Sequence, residues 1–176
     1  MSWGKLLQPD LVLGDSVLGL TPDVIHRYQL QGLVLDVDET LVPIREAETS
    51  VDVQQWFAQI KALIPLWLVS NNLNAYRIGR IADTLGVPYE TGAGKPSRRK
   101  LRRATRAMAL PVERVAMVGD RLFTDVLAGN RLGMFTILVE PMVNPGGVAG
   151  KHCVRTGEIW ISQKLGASIH GNGNQK

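Results

Sequence analysis

Apolar and polar positions alternate along this chain in two rhythms. Short, mainly apolar runs, "LVLDV" (33–37), "LWLVSN" (66–71), "RVAMVGD" (114–120) and "MFTILV" (134–139), read as strands buried on both faces. Between them, apolar residues recur at helical spacing. "TPDVIHRYQLQG" (21–32) predicts a helix with Thr21 as N-cap, Pro22 in the first position and Gly32 just beyond its end. "VDVQQWFAQIKAL" (51–63) sets Val53, Trp56, Phe57, Ile60 and Leu63 or Ile64 on one face. "NAYRIGRIADTLGV" (74–87) predicts another helix, stopped near Gly86 and Pro88, and "VPYE" (87–90) a short strand. A basic helix entered through Pro96 carries the apolar stripe Leu101, Ala104, Met108 and Leu110, and "TDVLAGNRLG" (124–133) predicts a helix ending at Gly133. Residues 140–152 read as loop, 154–165 as a last helix with Trp160 on its apolar face, and the remainder as a frayed tail.

Strands alternating with crossover helices imply an α/β fold, a three-layer, doubly wound parallel sheet. The expected organisation is a single domain over 1–176, with a core at about 22–139, an N-terminal arm at 1–20 and a C-terminal helix and tail at 154–176. Sheets of this kind bind ligands beyond the carboxyl ends of their strands. Reactive side chains are therefore expected directly after strands, where Asp36, Ser70 and Asp120 stand.

Composition changes this picture little: 45% apolar and 20% charged residues over 176 positions is ordinary for a globular domain. The lone Cys153 excludes an internal disulfide framework and a thiolate zinc site, and fits a reducing compartment. No apolar run is long enough to span a membrane, and the N-terminus lacks the pattern of a signal peptide. His26, His152 and His170 are scattered and suggest no metal site. Charge matters more. The net +4 is concentrated in "KPSRRKLRRATR" (95–106), which has seven positive charges and no acid. That run is either a solvated helix face or a contact for an anionic partner, a lipid surface or a nucleic acid.

The chemistry begins at "DVDET" (36–40), where two aspartates follow a buried run. Alone, they could simply open a solvated loop, and Ser70 and Asn71 could merely cap the helix that follows. "GAGKP" is not a nucleotide-binding P-loop, because Tyr89 stands where the first glycine belongs and Pro96 replaces Ser or Thr. In order along the chain, however, "DVDET", "VSNN", "GKP" and "GDRLFTD" resemble the four motifs of the haloacid dehalogenase superfamily of phosphohydrolases. The resemblance implies catalysis by Asp36, Asp38, Ser70 and Lys95. Asp36 attacks phosphorus to form an aspartyl-phosphate, and Asp38 protonates the leaving alkoxide and then deprotonates water. Asp36 and Asp38 are two residues apart along extended chain, so their side chains point the same way. Ser70 donates to the phosphoryl oxygens, and Lys95 supplies a fixed positive charge. The implied cofactor is Mg²⁺, held by Asp36, Asp120, the main-chain carbonyl of Asp38, and Asp125 as a ligand or an acid behind the ligands. Asn71, Arg98 and Arg99 are the expected substrate-binding residues.

Only 31 residues separate Asp38 from Ser70 and 24 separate Ser70 from Lys95, which leaves no room for a cap domain. An uncapped site suits a phosphate carried on something large or presented at a surface. With the leader "LLQPDLVLGDSVLGLTPDVIHRYQLQG", the chain is similar to the YqeG-like group of subclass IIIA, which includes phosphatidylglycerophosphate phosphatases. Relatives often carry Asn where this chain has Glu39, a position read as facing away from phosphorus. The resemblance implies dephosphorylation of phosphatidylglycerophosphate by a cytoplasmic protein peripheral on the inner face of a membrane. Trp3, Leu6, Leu7, Leu11, Val12, Leu13, Val17 and Leu18 then offer membrane-facing surface, unless the arm packs on the core. Two other readings stand beside it: a soluble phosphatase for a nucleotide, sugar or nucleic-acid end, and a non-catalytic polyanion-binding module.

Overall fold

The continuous apolar runs form the centre of one parallel sheet, because only strands covered on both faces can bury every residue. The computed structural model describes residues 3–44 and 46–142. Its strands are β1 (Leu11–Val12), β2 (Gly32–Leu35), β3 (Leu66–Val69), β4 (Tyr89–Glu90), β5 (Val115–Gly119) and β6 (Phe135–Leu138), in spatial order β1-β6-β5-β2-β3-β4. The helices are α1 (Trp3–Leu6), α2 (Pro22–Arg27), α3 (Val51–Lys61), α4 (Ala75–Leu85), α5 (Arg99–Met108) and α6 (Leu127–Leu132). Successive strand residues face opposite layers. Leu33 and Leu35 of β2 pack with Ile25, Phe57, Ile60, Ile78 and Ile81 on one side. Val34 packs with Leu101, Ala104 and Ala128 on the other. The result is the three-layer α/β architecture expected.

Register decides where the chemistry lies. Leu35 stands level with Leu68 of β3 and Val118 of β5, so Asp36, Ser70 and Asp120 all emerge at one edge of the sheet. Asp36 is held there by its own N–H, which donates to the Val118 carbonyl at 2.9 Å.

Local signals account for several helix ends. Ser50 caps α3 by accepting the Val53 N–H, and Asn74 caps α4 by accepting that of Arg77. Gly86 ends α4 in the left-handed region, at φ +63°. The helix expected to run towards Gly32 stops at Arg27, and Gln29 turns the chain at φ +52°. Gly32 is instead the first residue of β2, where any side chain would overlap that of Leu110. The basic helix starts at Arg99, three residues after Pro96, and the expected 124–133 helix is preceded by a π turn over Leu122–Val126.

The N-terminal arm belongs to the sheet, with β1 pairing parallel to β6 at Leu11–Ile137 and Val12–Leu138. Asp10 accepts from the N–H and hydroxyl of Thr136, and Asn130 donates to the carbonyls of Leu6 and Gln8. Of the eight apolar residues offered as membrane-facing, only Trp3 is exposed; the other seven are buried or half-buried. A strand paired on the core cannot also lie in a bilayer, and the packed alternative holds. Among the described residues, no helix is long and apolar enough to cross a membrane. The helix expected at 154–165 and the tail lie outside the described residues.

Candidate active site

Loops leaving β2, β3, β4 and β5 meet over a hollow of about 230 Å³ lined by Asp36, Asp38, Glu39, Ile44, Asn71, Asn72, Lys95, Arg121 and Thr124. Lys95 is its electrostatic centre. Its Nζ lies 2.6 Å from Asp36 Oδ1 and 2.7 Å from Asp125 Oδ1, with all three side chains buried. Asp120 completes the group, since one carboxylate oxygen each from Asp36, Asp120 and Asp125 can be chosen within 4.8 Å of one another. The π turn aims Asp125 inward, and the Arg121 N–H holds its Oδ2 at 3.2 Å. Gly119 makes this possible, because a Cβ there would overlap the Asp125 carboxylate.

One ammonium cannot balance three buried carboxylates. Burial pushes Asp36 up to about 7, with the Asp125 charge adding to the rise and Lys95 opposing it. Asp120 is pushed up to about 8, again by burial first, then by the charges of Asp125, Asp36 and Glu39. Burial alone would depress Lys95, but Asp125 and Asp36 outweigh it and hold the ammonium protonated far into the alkaline range. Oxygen donors of like charge gathered in a dry site fit a hard divalent cation such as Mg²⁺.

Asp38 also lines the hollow and is held by three donors. Arg77 Nη1 lies 2.6 Å from its Oδ1, while Ser70 Oγ and Asn72 Nδ2 reach its Oδ2 at 3.3 and 3.1 Å. Asn71 braces the Lys95 loop, accepting the Lys95 N–H at 2.7 Å and donating to its carbonyl at 3.2 Å.

The structure thus brings together Asp36, Asp38, Asn71, Lys95, Asp120 and Asp125, and departs from expectation elsewhere. Ser70 is fully buried and directs its hydroxyl at Asp38 rather than lining the hollow. Arg98 and Arg99 do not line it either. The Arg98 guanidinium bonds the Arg131 carbonyl, and Arg99 borders a separate groove with Lys100, Arg102, Arg103 and Arg106. Arg98 precedes α5 and is drawn to α6, while α5 begins only at Arg99 and presents its basic residues along an outer face. Glu39 does line the hollow, contrary to the expectation, because its φ of +66° reverses the chain after Asp38. Arg77, Asn72, Thr40, Arg121 and Thr124 were missed. Arg77 did leave a signal, a charge on the stripe 77, 78, 81, 82, 85 that α4 buries. Thr40, whose hydroxyl reaches Asp120 Oδ1 at 3.5 Å, left none beyond its place in "DVDET".

The chain is similar to several known proteins. A family model described as HAD-hydrolase-like matches residues 92–143. "Probable phosphatase YqeG" of Bacillus subtilis (strain 168) is 35% identical over 144 residues, 81% of this chain and 83% of that protein. "Phosphatidylglycerophosphate phosphatase 1, chloroplastic" of Chlamydomonas reinhardtii is 31% identical over 87 residues, 49% of this chain and 32% of that one. Among solved structures, the putative HAD-hydrolase YfnB from Bacillus subtilis, bound to magnesium, shares the fold. Its TM-score is 0.51 at 11% identity, covering 68% of this chain and 90% of its own. Extended similarity to YqeG, together with an acid-and-lysine hollow at the carboxyl edge of a parallel sheet, places this chain in the haloacid dehalogenase superfamily, as a phosphatase of its YqeG-like group.

Proposed function

We propose that the protein is a Mg²⁺-dependent phosphomonoesterase working through an aspartyl-phosphate on Asp36, with a phospholipid head group, phosphatidylglycerophosphate, as its substrate. The observation that carries the catalytic part is Lys95 clasped between Asp36 and Asp125 with Asp120 beside them. Asp36, Asp120 and Asp125 are the side chains that would hold the ion, with the carbonyl of Asp38 as a further ligand. Bound there, Mg²⁺ neutralises charge on the phosphoryl oxygens and the nucleophile. A free Asp36 oxygen forms the bond to phosphorus. The bond to the leaving oxygen breaks, and Asp38 supplies that oxygen's proton. In the second half, water attacks the aspartyl-phosphate and gives its proton to Asp38. The phosphorus–Asp36 bond breaks and inorganic phosphate departs. Lys95 stays protonated throughout and stabilises the transferring group.

The lipid part is supported by the edge of the hollow and by the Chlamydomonas relative's name. At about 230 Å³ the hollow is smaller than the roughly 300–1,000 Å³ of small-molecule sites, so most of a large substrate lies outside it. Ile44, which lines the hollow, is 47% exposed, and Leu73 and Tyr76, shortly after the lining residue Asn72 in the chain, are 85% and 75% exposed. These three, rather than the N-terminal arm, offer apolar surface to a bilayer. The α5 groove adds attraction to anionic lipid of about 1 kcal/mol per basic residue near the surface. Lys100 and Arg103 are partly committed, since both pair with Glu90 at 2.7 and 3.0 Å. Phosphate release from phosphatidylglycerophosphate in anionic vesicles, measured against soluble monophosphates with Mg²⁺ or EDTA, tests both parts. Faster turnover of the lipid, abolished by EDTA, is expected. Equal or faster turnover of soluble esters would overturn the lipid assignment, and full activity in EDTA the metal.

A further inference from the structure

Arg77 is a misfit in its helix. The stripe of α4 that faces the core holds Ile78, Ile81, Ala82 and Leu85, and a leucine or methionine at 77 would complete it. Burying a guanidinium there is unfavourable unless its donors are satisfied. They are, by three separate points of the chain. Nη1 reaches Asp38 Oδ1 at 2.6 Å, Nε the Glu46 carbonyl at 2.7 Å, and Nη2 the Pro43 carbonyl at 3.2 Å. Two of those contacts fasten the segment carrying Ile44, which lines the mouth of the hollow, and the third is a reacting group.

From this geometry we propose that Arg77 is a positioning residue for phosphoryl transfer: it fixes the carboxylate of Asp38 in the plane from which a proton can reach the leaving oxygen. This inference rests on the proton-transfer role proposed above for Asp38. The turn that carries Asp38 cannot orient it alone. Rotation about the Asp38 side chain is restrained on one oxygen by Ser70 and Asn72, both from the β3–α4 loop, and on the other by Arg77. With Arg77 gone, Oδ1 loses its partner and the carboxylate is free to swing about the remaining bonds. Only a rigid fork with several N–H groups spans Asp38 and two carbonyls at once, which is why lysine is a poor substitute. The effect is one of orientation. It falls on proton delivery and leaves Asp36, Lys95 and the acid cluster in place.

An aryl and an alkyl monoester separate this role from a merely structural one. p-Nitrophenolate departs without a proton, whereas the alkoxide of glycerol 3-phosphate needs one. We would measure the first-turnover rate of P–O cleavage for both esters in the wild type, Arg77→Met and Arg77→Lys, with urea unfolding of each to check the fold. The expected result is that Arg77→Met slows the alkyl ester about 10-fold or more, a part of the roughly 10²–10⁴-fold a positioned acid contributes, and the aryl ester less than about threefold. Arg77→Lys falls between. Should Arg77→Met fail to fold, the aryl-to-alkyl ratio in Arg77→Lys decides alone. Equal slowing of both esters overturns the positioning role and leaves Arg77 as a loop clamp. A wild type whose own rate shows no advantage on the alkyl ester over Asp38→Asn would instead remove the proton-transfer role of Asp38 on which the proposal stands.

Discussion

Asp36 is asked to be both buried and ionised. As the proposed nucleophile it must be a carboxylate, yet burial pushes it up to about 7, with Lys95 only partly opposing. The consequence for stability has a definite sign. A carboxylate raised from 3.8 to about 7 keeps its proton in the folded chain at pH values where the unfolded chain has lost it. Without metal, the Asp36 contribution therefore falls as pH rises between about 4 and 7, then levels off, and Asp120 extends the fall towards 8. Asp36→Asn removes this component. We expect the variant to show no turnover yet to keep its fold. In EDTA, it should gain on the wild type by about 1–3 kcal/mol between pH 5 and pH 8. Urea midpoints at the two pH values check this, and a wild type that gains on the variant as pH rises would contradict it. The residue signals were legible where chemistry and position coincide: Asp36 and Asp120 directly follow β2 and β5, and Asp38, Lys95 and Asp125 stand in the connections beyond the strands. Ser70 follows β3, but its hydroxyl aims at Asp38 instead of the hollow, a matter of side-chain rotation that spacing does not encode.

Among the elements, the short connection from β5 into α6 does the most for the site. β5 ends on Gly119, the chain turns through Asp120, and the π turn brings Asp125 back over the strand end. The carboxylate of Asp125 occupies the space a side chain at 119 would need. Gly119→Ala should push that carboxylate away from Lys95 and the Arg121 N–H. The expected cost is about 1–3 kcal/mol in stability from overpacking, with Mg²⁺ affinity weakened by about 10–100-fold as a supporting contact is lost. Calorimetric titration with Mg²⁺ reads the affinity, and unchanged binding would show that the close approach is not required. Helix and strand types in this region followed from periodicity alone. The π turn did not, since one extra residue per turn leaves the apolar spacing of a single short turn almost unchanged.

For the molecule as a whole, the arm at residues 3–20 is structural. Leu7, Leu11, Val17 and Leu20 are buried, and the Trp56 indole N–H donates to the Leu20 carbonyl at 2.8 Å. Each such side chain contributes roughly 1.5–3 kcal/mol, so their joint loss is comparable to the 5–15 kcal/mol stability typical of a domain. Removal also bares the edge of β6, which invites strand-to-strand association. A chain beginning at residue 21 is expected to lose its cooperative melt or aggregate. A cooperative melt near that of the full chain would show the arm to be dispensable.

Taken by itself, the sequence determined the strand and helix types, the parallel α/β plan and the residues after each strand where chemistry gathers. These depend on local periodicity and on short-range backbone rules. Tertiary structure alone decided that the arm is a strand of the sheet and that Glu39 faces the hollow. It alone set Arg98 and Arg99 outside and brought Arg77 to Asp38. Each of those depends on which distant segments share a surface, and neighbours 39 or 126 positions apart in the chain leave no local periodic trace.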